Sequence, residues 1–133
     1  MRIYSINFAD STLNQEAEIN ESNSGAANLN AKDLAFDPVR KILFILDHNS
    51  GILSYSLSFA PLVYRVASPP IKNSLCSLLF YDKTTEDLYL NCRELHRYRL
   101  AHWPVIEEKV LPRQDISVRD IVANRELLVL VGR

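Results

Sequence analysis

The chain has 133 residues, 47% of them hydrophobic and 23% charged, with a formal net charge of −1. That is enough for one domain with a core of its own, and the near-neutral balance argues against nucleic-acid or membrane-surface binding. No apolar run approaches the ~20 residues of a membrane helix, so membrane insertion is not expected, and residues 1–7 hold no apolar signal segment, which favours the cytoplasm or nucleus.

Residues 2–8 and 12–19 read as two strands. In the second, Leu13, Gln15, Ala17 and Ile19 alternate with Asn14, Glu16 and Glu18, the period of a strand with one wet face. Residues 20–31 form a polar loop of Asn, Ser and Gly, longer than its counterparts at 68–73 and 112–115; a mobile insertion is the plainer reading and a functional loop the other. Residues 33–57 give the clearest grammar in the chain. Leu34 and Phe36 lead into Asp37-Pro38-Val39-Arg40-Lys41, where Pro presets the turn and Asp can accept from turn amides. Ile42-Leu43-Phe44-Ile45-Leu46 is apolar throughout, as in a strand covered on both faces. Asp47-His48-Asn49-Ser50-Gly51 is a second turn, with Gly supplying a positive φ, and residues 52–57 are a third strand of mixed polarity. Pro69-Pro70 breaks the chain before the next set of strands at 74–110, because Pro cannot extend a central strand. Residues 117–131 supply a first and a second strand.

These elements repeat. Tyr55-Ser56-Leu57-Ser58-Phe59-Ala60-Pro61 aligns with Tyr98-Arg99-Leu100-Ala101-His102-Trp103-Pro104 and with Tyr4-Ser5-Ile6-Asn7-Phe8-Ala9. Leu34-Ala35-Phe36-Asp37 followed by residues 42–46 aligns with Leu79-Phe80-Tyr81-Asp82 followed by Leu88-Tyr89-Leu90. A weaker copy is Ile121-Val122-Ala123-Asn124 followed by residues 127–131. The spacing is that of a ~40–50-residue unit of four strands.

The pattern resembles the β-propeller repeat superfamily over nearly the whole chain. WD-type repeats carry Gly-His before the first strand and Trp-Asp at the end of the third, and neither is present. Phe44-Ile45-Leu46-Asp47 after Asp37-Pro38 echoes the YWTD-type repeat, but Tyr89-Leu90-Asn91-Cys92 lacks its Asp, so the subfamily stays open. The resemblance implies an all-β propeller segment of antiparallel four-stranded blades, two whole (32–66 and 74–110) and two half (1–19, outer; 116–131, inner). Propellers close at ~4–8 blades, so three blade equivalents need completing. A longer parent, a partner chain or a homodimer of two copies closing a six-bladed ring would do it, the first two preferred.

The resemblance implies a non-catalytic protein–protein interaction scaffold, a subunit of a protein complex, with no cofactor. The alternative is an extracellular receptor-type propeller piece that binds a protein ligand. A propeller enzyme would need convergent carboxylates and a metal in its channel, and no such set is legible. Gly25, Gly51 and Gly132 are too few and too scattered for a phosphate loop. Asn20-Glu21-Ser22 is a glycosylation sequon, of consequence only in a secreted chain. Candidate partner-binding residues lie on the rim that would hold the loops 20–31, 47–51, 68–73, 91–94 and 112–115: His48, Asn49, Lys72 and Arg93. Trp103, at a turn before Pro104, is the best aromatic candidate outside the core. Asp47 reads as a turn cap and His48 as a solvated loop residue. Arg97 and Arg99 share one strand face and His96 and Tyr98 the other; a solvated face balanced by Glu94, Glu107 and Glu108 is preferred to an anion site. Phe36, Phe44, Phe80, Tyr81 and Tyr89 read as core between blades. Cys76 and Cys92 fit a cross-strand disulfide or two reduced buried thiols, the latter preferred in the absence of a signal peptide.

Overall fold

The computed structural model describes residues 2–19, 29–56, 63–67, 76–103, 105–111, 118–123 and 128–132. The fold there is all-β, with no helix among the described residues. Its twelve strands form four antiparallel sheets. Strands β1 (Arg2–Asn7) and β2 (Thr12–Glu18) make a two-stranded sheet. Strands β3 (Ala31–Asp37), β4 (Ile42–Asp47), β5 (Gly51–Ser56) and β6 (Val63–Ala67) make a four-stranded sheet in that order. So do β7 (Leu78–Asp82), β8 (Asp87–Asn91), β9 (Leu95–Arg99) and β10 (Glu107–Leu111). Strands β11 (Val118–Ala123) and β12 (Leu128–Gly132) form a second pair. Each strand pairs only with its neighbours in sequence, and none of the four sheets closes on itself.

One turn chemistry recurs in three hairpins. The closing pairs are Asn7↔Thr12, Asp37↔Ile42 and Asp82↔Asp87, each bounding a four-residue loop. The first residue of each pair accepts, through Oδ1, the amide two residues on: Ala9, Val39 and Thr84, each at 2.9 Å. The last loop residue is left-handed in every case, with φ of 57° at Ser11, 54° at Lys41 and 59° at Glu86. A non-Gly residue pays a steric cost there, so the turn geometry and not local preference dictates it. The hairpin of β11 and β12 closes at Ala123↔Leu128 over a loop of the same length. Ala123, not Asn124, therefore stands where Asp37 and Asp82 stand; loop length sets the register more firmly than the capping side chain does.

The sheets stack face to face. On one side of the β3–β6 sheet Ile42, Phe44, Leu46 and Ile52 pack against Leu79, Leu88, Leu90, Tyr98 and Leu100, and β3 runs beside β7. The Phe44 ring lies 5.6 Å from Tyr81 and meets Trp103 edge-on at 6.4 Å, geometries that aromatic quadrupoles favour. On the other side Leu43, Ile45, Leu53 and Tyr55 pack with Ile19 and Ile3 of the β1–β2 segment. The unbroken apolar run of β4 is thus covered on both faces, as its composition implies. Strand β5 is buried as well from Gly51 to Tyr55, against its mixed polarity, because it sits between β4 and β6 in the middle of a doubly covered sheet. The far face of the β7–β10 sheet buries Tyr89 and Leu95 with Leu78, Phe80 and Leu111, and β11 lies beside β7.

One aromatic departs from the expected core. Phe36 is 45% exposed, and its neighbour on the same face, Leu34, is 53% exposed. Among the described residues the β1–β2 hairpin covers this face over β4 and β5, and none packs over Leu34 and Phe36 of β3. Phe44 and Tyr89 are buried, and Phe80 and Tyr81 half-buried, in agreement with the core reading.

Candidate interaction surface

The antiparallel order puts the β4–β5 and β8–β9 turns at one end of their sheets, together with the segments entering β3 and β7. In the first sheet Asp47, fully buried, organises this end. Its carboxylate accepts the amides of Asn49 at 3.1 Å and Ser50 at 2.7 Å, and that of Asn30 across the sheet end. The His48 amide donates to the Asn30 carbonyl at 2.9 Å, and Gly51 takes a φ of 89°, the left-handed region open to Gly. In the second sheet the Ser77 amide donates to the Asn91 carbonyl at 3.0 Å, and Cys92 is bonded to Cys76. A carboxylate in one sheet and a disulfide in the other thus do one job: each fastens the entering segment to the turn after the second strand.

The disulfide corrects the expectation of two reduced thiols. Cys76 and Cys92 flank β7 and β8 instead of lying within them, just outside the pair Leu78↔Asn91, and that placement brings the two sulfurs together. A crosslink spanning 16 residues stabilises by roughly 3 kcal/mol through restriction of the unfolded chain. Reduction should therefore lower the melting temperature by roughly 10 °C. Differential scanning calorimetry with and without reductant checks this, and an unchanged midpoint would show that the bridge adds nothing.

The named candidates have different settings. Asn49 and Arg93 are exposed at turn tips. His48 is half-buried, not solvated as expected. Its Nδ1 is enclosed and has no hydrogen-bond partner among the described residues, because the backbone bond to Asn30 draws the turn onto the sheet end. Lys72, with loops 20–28, 68–75 and 112–117, lies outside the described residues. Trp103 is half-buried and packs over the core against Phe44; its position is set by the Trp103 amide, which donates to the Leu100 carbonyl at 3.0 Å.

At the opposite end, sequence reasoning missed a charged network. The Asp37 carboxylate, 1% exposed, accepts from the turn amides of Val39 and Arg40, from Arg40 Nη1 at 3.0 Å and from the Tyr81 hydroxyl at 3.0 Å. Arg40 Nη2 pairs with Glu86 Oε1 at 2.5 Å, so the guanidinium ties the β3–β4 turn to the β7–β8 turn. Burial pushes the Asp37 carboxyl up, but its hydrogen bonds to Arg40, Tyr81 and Val39 outweigh that and hold it below its usual range. Burial, followed by the bond to Asp37, raises the Tyr81 hydroxyl well above its ordinary value. A second cross-sheet bond joins the Leu79 amide to Asp33 Oδ2 at 2.8 Å. An Asp within a strand is uncommon, and that was the one signal that could have marked Asp33.

The outer strands β9 and β10 separate two faces. His96 and Tyr98 are buried, with His96 Nδ1 2.9 Å from Glu108 Oε1. Burial first, then the Glu108 charge and hydrogen bond, raise the Tyr98 hydroxyl. Arg97 and Arg99 lie on the other face with Lys109 and Glu107 across the strand pair, and they help line an open groove of about 480 Å³ that Glu108 borders as well. Among the described residues no three His, Cys, Asp or Glu side chains gather as metal ligands would. In comparisons with family models, curated proteins and solved structures, nothing matches this chain.

Proposed function

We propose that the chain is a β-propeller segment that serves as a non-catalytic scaffold for protein–protein interaction. The observation that carries this reading is the stacking of two four-stranded meanders with their first strands β3 and β7 side by side, and the further first strand β11 also in contact with β7. Sheets in radial repetition pack in that way. The end that holds His48, Asn49 and Arg93 is the proposed contact rim: its turns are fastened by Asp47 and by the disulfide, so its exposed side chains are held in place before a partner arrives. The triple variant His48→Ala, Lys72→Ala, Arg93→Ala should lose a co-purifying partner at least ~10-fold by quantitative mass spectrometry, about 1.4 kcal/mol, with an unchanged melting temperature. Equal recovery from both baits would remove this rim from the proposal.

The Cys76–Cys92 bridge favours a second reading, an extracellular receptor-type propeller piece, since disulfides persist in oxidising compartments. The Asp37-Pro38 and Phe44-to-Asp47 echo points the same way. Non-reducing peptide mapping of chain alkylated at lysis separates the two readings: a fully bridged pair supports the extracellular one, and two alkylated thiols remove it.

A further inference from the structure

We propose that a second copy of this chain completes the assembly. Its β11–β12 hairpin adds to β1 of the first copy, making one sheet in the order β11-β12 from one copy and β1-β2 from the other. This rests on the propeller reading and names the occupant that reading leaves open.

The first observation is a repeated tyrosine. Tyr55 and Tyr98 are 6% and 3% exposed, whereas Tyr4, aligned with both, is 49% exposed. Tyr55 packs with Ile3 and Ile19, and Tyr98 with the β3–β6 sheet, so each faces the sheet that precedes its own. Tyr4 belongs to the face opposite Ile3, which it shares with Ile6 and Leu13 across the hairpin, and these are 60% and 65% exposed. That face lacks a preceding sheet among the described residues.

The second observation is the bare face of β3. Leu34 and Phe36 align with Leu79 and Tyr81 of β7, which β3 itself covers: Leu79 is 4% exposed, and Tyr81 bonds to Asp37. A first strand laid beside β3 would cover Leu34 and Phe36 in the same way. Such a strand exists in β11, which with β12 forms a sheet of two. By sequence alignment β1 and β2 are third and fourth strands and β11 and β12 first and second, so each pair is what the other lacks. Joining the two two-stranded sheets across copies would add one four-stranded sheet per chain to the two already present, and two copies would then hold six, within the ~4–8 that close. A twofold axis gives both composite sheets at once.

The groove on β9–β10 supplies the remaining complement. It lies on the face turned away from the β3–β6 sheet. In the assembly the Arg97 and Arg99 side chains lie against Tyr4 of the other copy, cations beside an aromatic ring. The register follows from the intact sheet. Tyr55 pairs with Leu43, and Leu43 stands one residue past the hairpin pair Asp37↔Ile42. Val129 holds the same place past Ala123↔Leu128. Tyr4 of one copy therefore pairs with Val129 of the other.

Two full-length variants test this, one carrying Tyr4→Cys and the other Val129→Cys, mixed and mildly oxidised with the native bridge intact. Because each chain has one added thiol, a Tyr4–Val129 bridge can form only between copies. The expected result is a crosslinked heterodimer, with Val131→Cys in place of Val129→Cys giving at least ~10-fold less, since paired positions place Cβ atoms within about 5.5 Å. Light scattering of the wild type should give twice the 15.2 kDa of one chain. Leu34→Glu with Phe36→Glu, at positions exposed within the chain, should weaken the dimer at least ~100-fold. A compact monomer with a sharp melt would overturn both this proposal and the propeller reading. A monomer that binds a hydrophobic dye and gains mass only with a different chain would overturn the second copy and leave the propeller reading standing. A dimer without the Tyr4–Val129 crosslink would overturn this mode of docking.

Discussion

Phe44→Ala should destabilise the chain by about 3–5 kcal/mol. The ring is 1% exposed and stands where the β3–β6 and β7–β10 sheets meet, touching Tyr81 from the facing sheet and Trp103 from the β9–β10 turn. Its removal forfeits the transfer free energy of the ring. It also leaves a cavity that two rigid sheets cannot close, and cancels the edge-on contact that seats Trp103. Set against a total stability of about 5–15 kcal/mol, the loss is a large fraction of the whole. Urea titration followed by tryptophan fluorescence checks this: the midpoint should fall with an unchanged slope. Val39→Ala, at a turn residue 79% exposed, should stay within about 0.5 kcal/mol of the parent. Equal midpoints for the two variants would mean that the sheets do not share a core.

The sheets were legible because their signals are local. Five consecutive apolar residues at 42–46 fit a doubly covered strand or a short buried helix, the turns at Asp37-Pro38 and Ser50-Gly51 argue for the strand, and the structure has the strand. The Asp37 cap was legible for the same reason: an Asx side chain reaches its own turn amides whatever the rest of the chain does. What failed was long-range. Nothing in the spacing of Cys76 and Cys92 reveals that each stands just beyond a strand end, and the side of the hairpin they occupy decides between thiol and bridge. Phe36 follows the strand period perfectly and is still exposed, because burial depends on which neighbour lies over β3 and the alternation of one strand carries no such information. The company of Asp, Asn, Ser and Gly implies a solvated His48, whereas a backbone bond to Asn30 holds its turn against the sheet end. The Arg40–Glu86 pair, between positions 46 apart in sequence, was invisible for the same reason.

The network at Asp37 ties part of the stability of the two-sheet contact to pH. The carboxyl is depressed in the folded chain below the 3.8 it has unfolded. Between those two values the unfolded chain binds the extra proton, so stability rises with pH there and is fully present above the unfolded value. It is lost as pH falls through the depressed one. The alkaline side has the opposite sign. Tyr81 and Tyr98 are raised above the ordinary 10.0, so their contribution is complete below pH 10. It declines as pH rises further, where the unfolded chain sheds protons that the native chain must keep. Asp37→Ala should cost about 1–3 kcal/mol at neutral pH, the usual loss when buried donors are left unsatisfied, because it strands the Tyr81 hydroxyl and two turn amides, while the partly exposed Arg40 keeps Glu86. Asp37→Asn keeps the shape and the acceptor oxygen, so its loss at neutral pH should be smaller, and its melting temperature should depend less on pH below about 4 than that of the parent. Thermal melts of the three proteins from pH 2 to pH 11 decide the matter. An acid limb identical in parent and Asp37→Asn would transfer the pH dependence to other carboxylates and leave Asp37 as a turn cap alone.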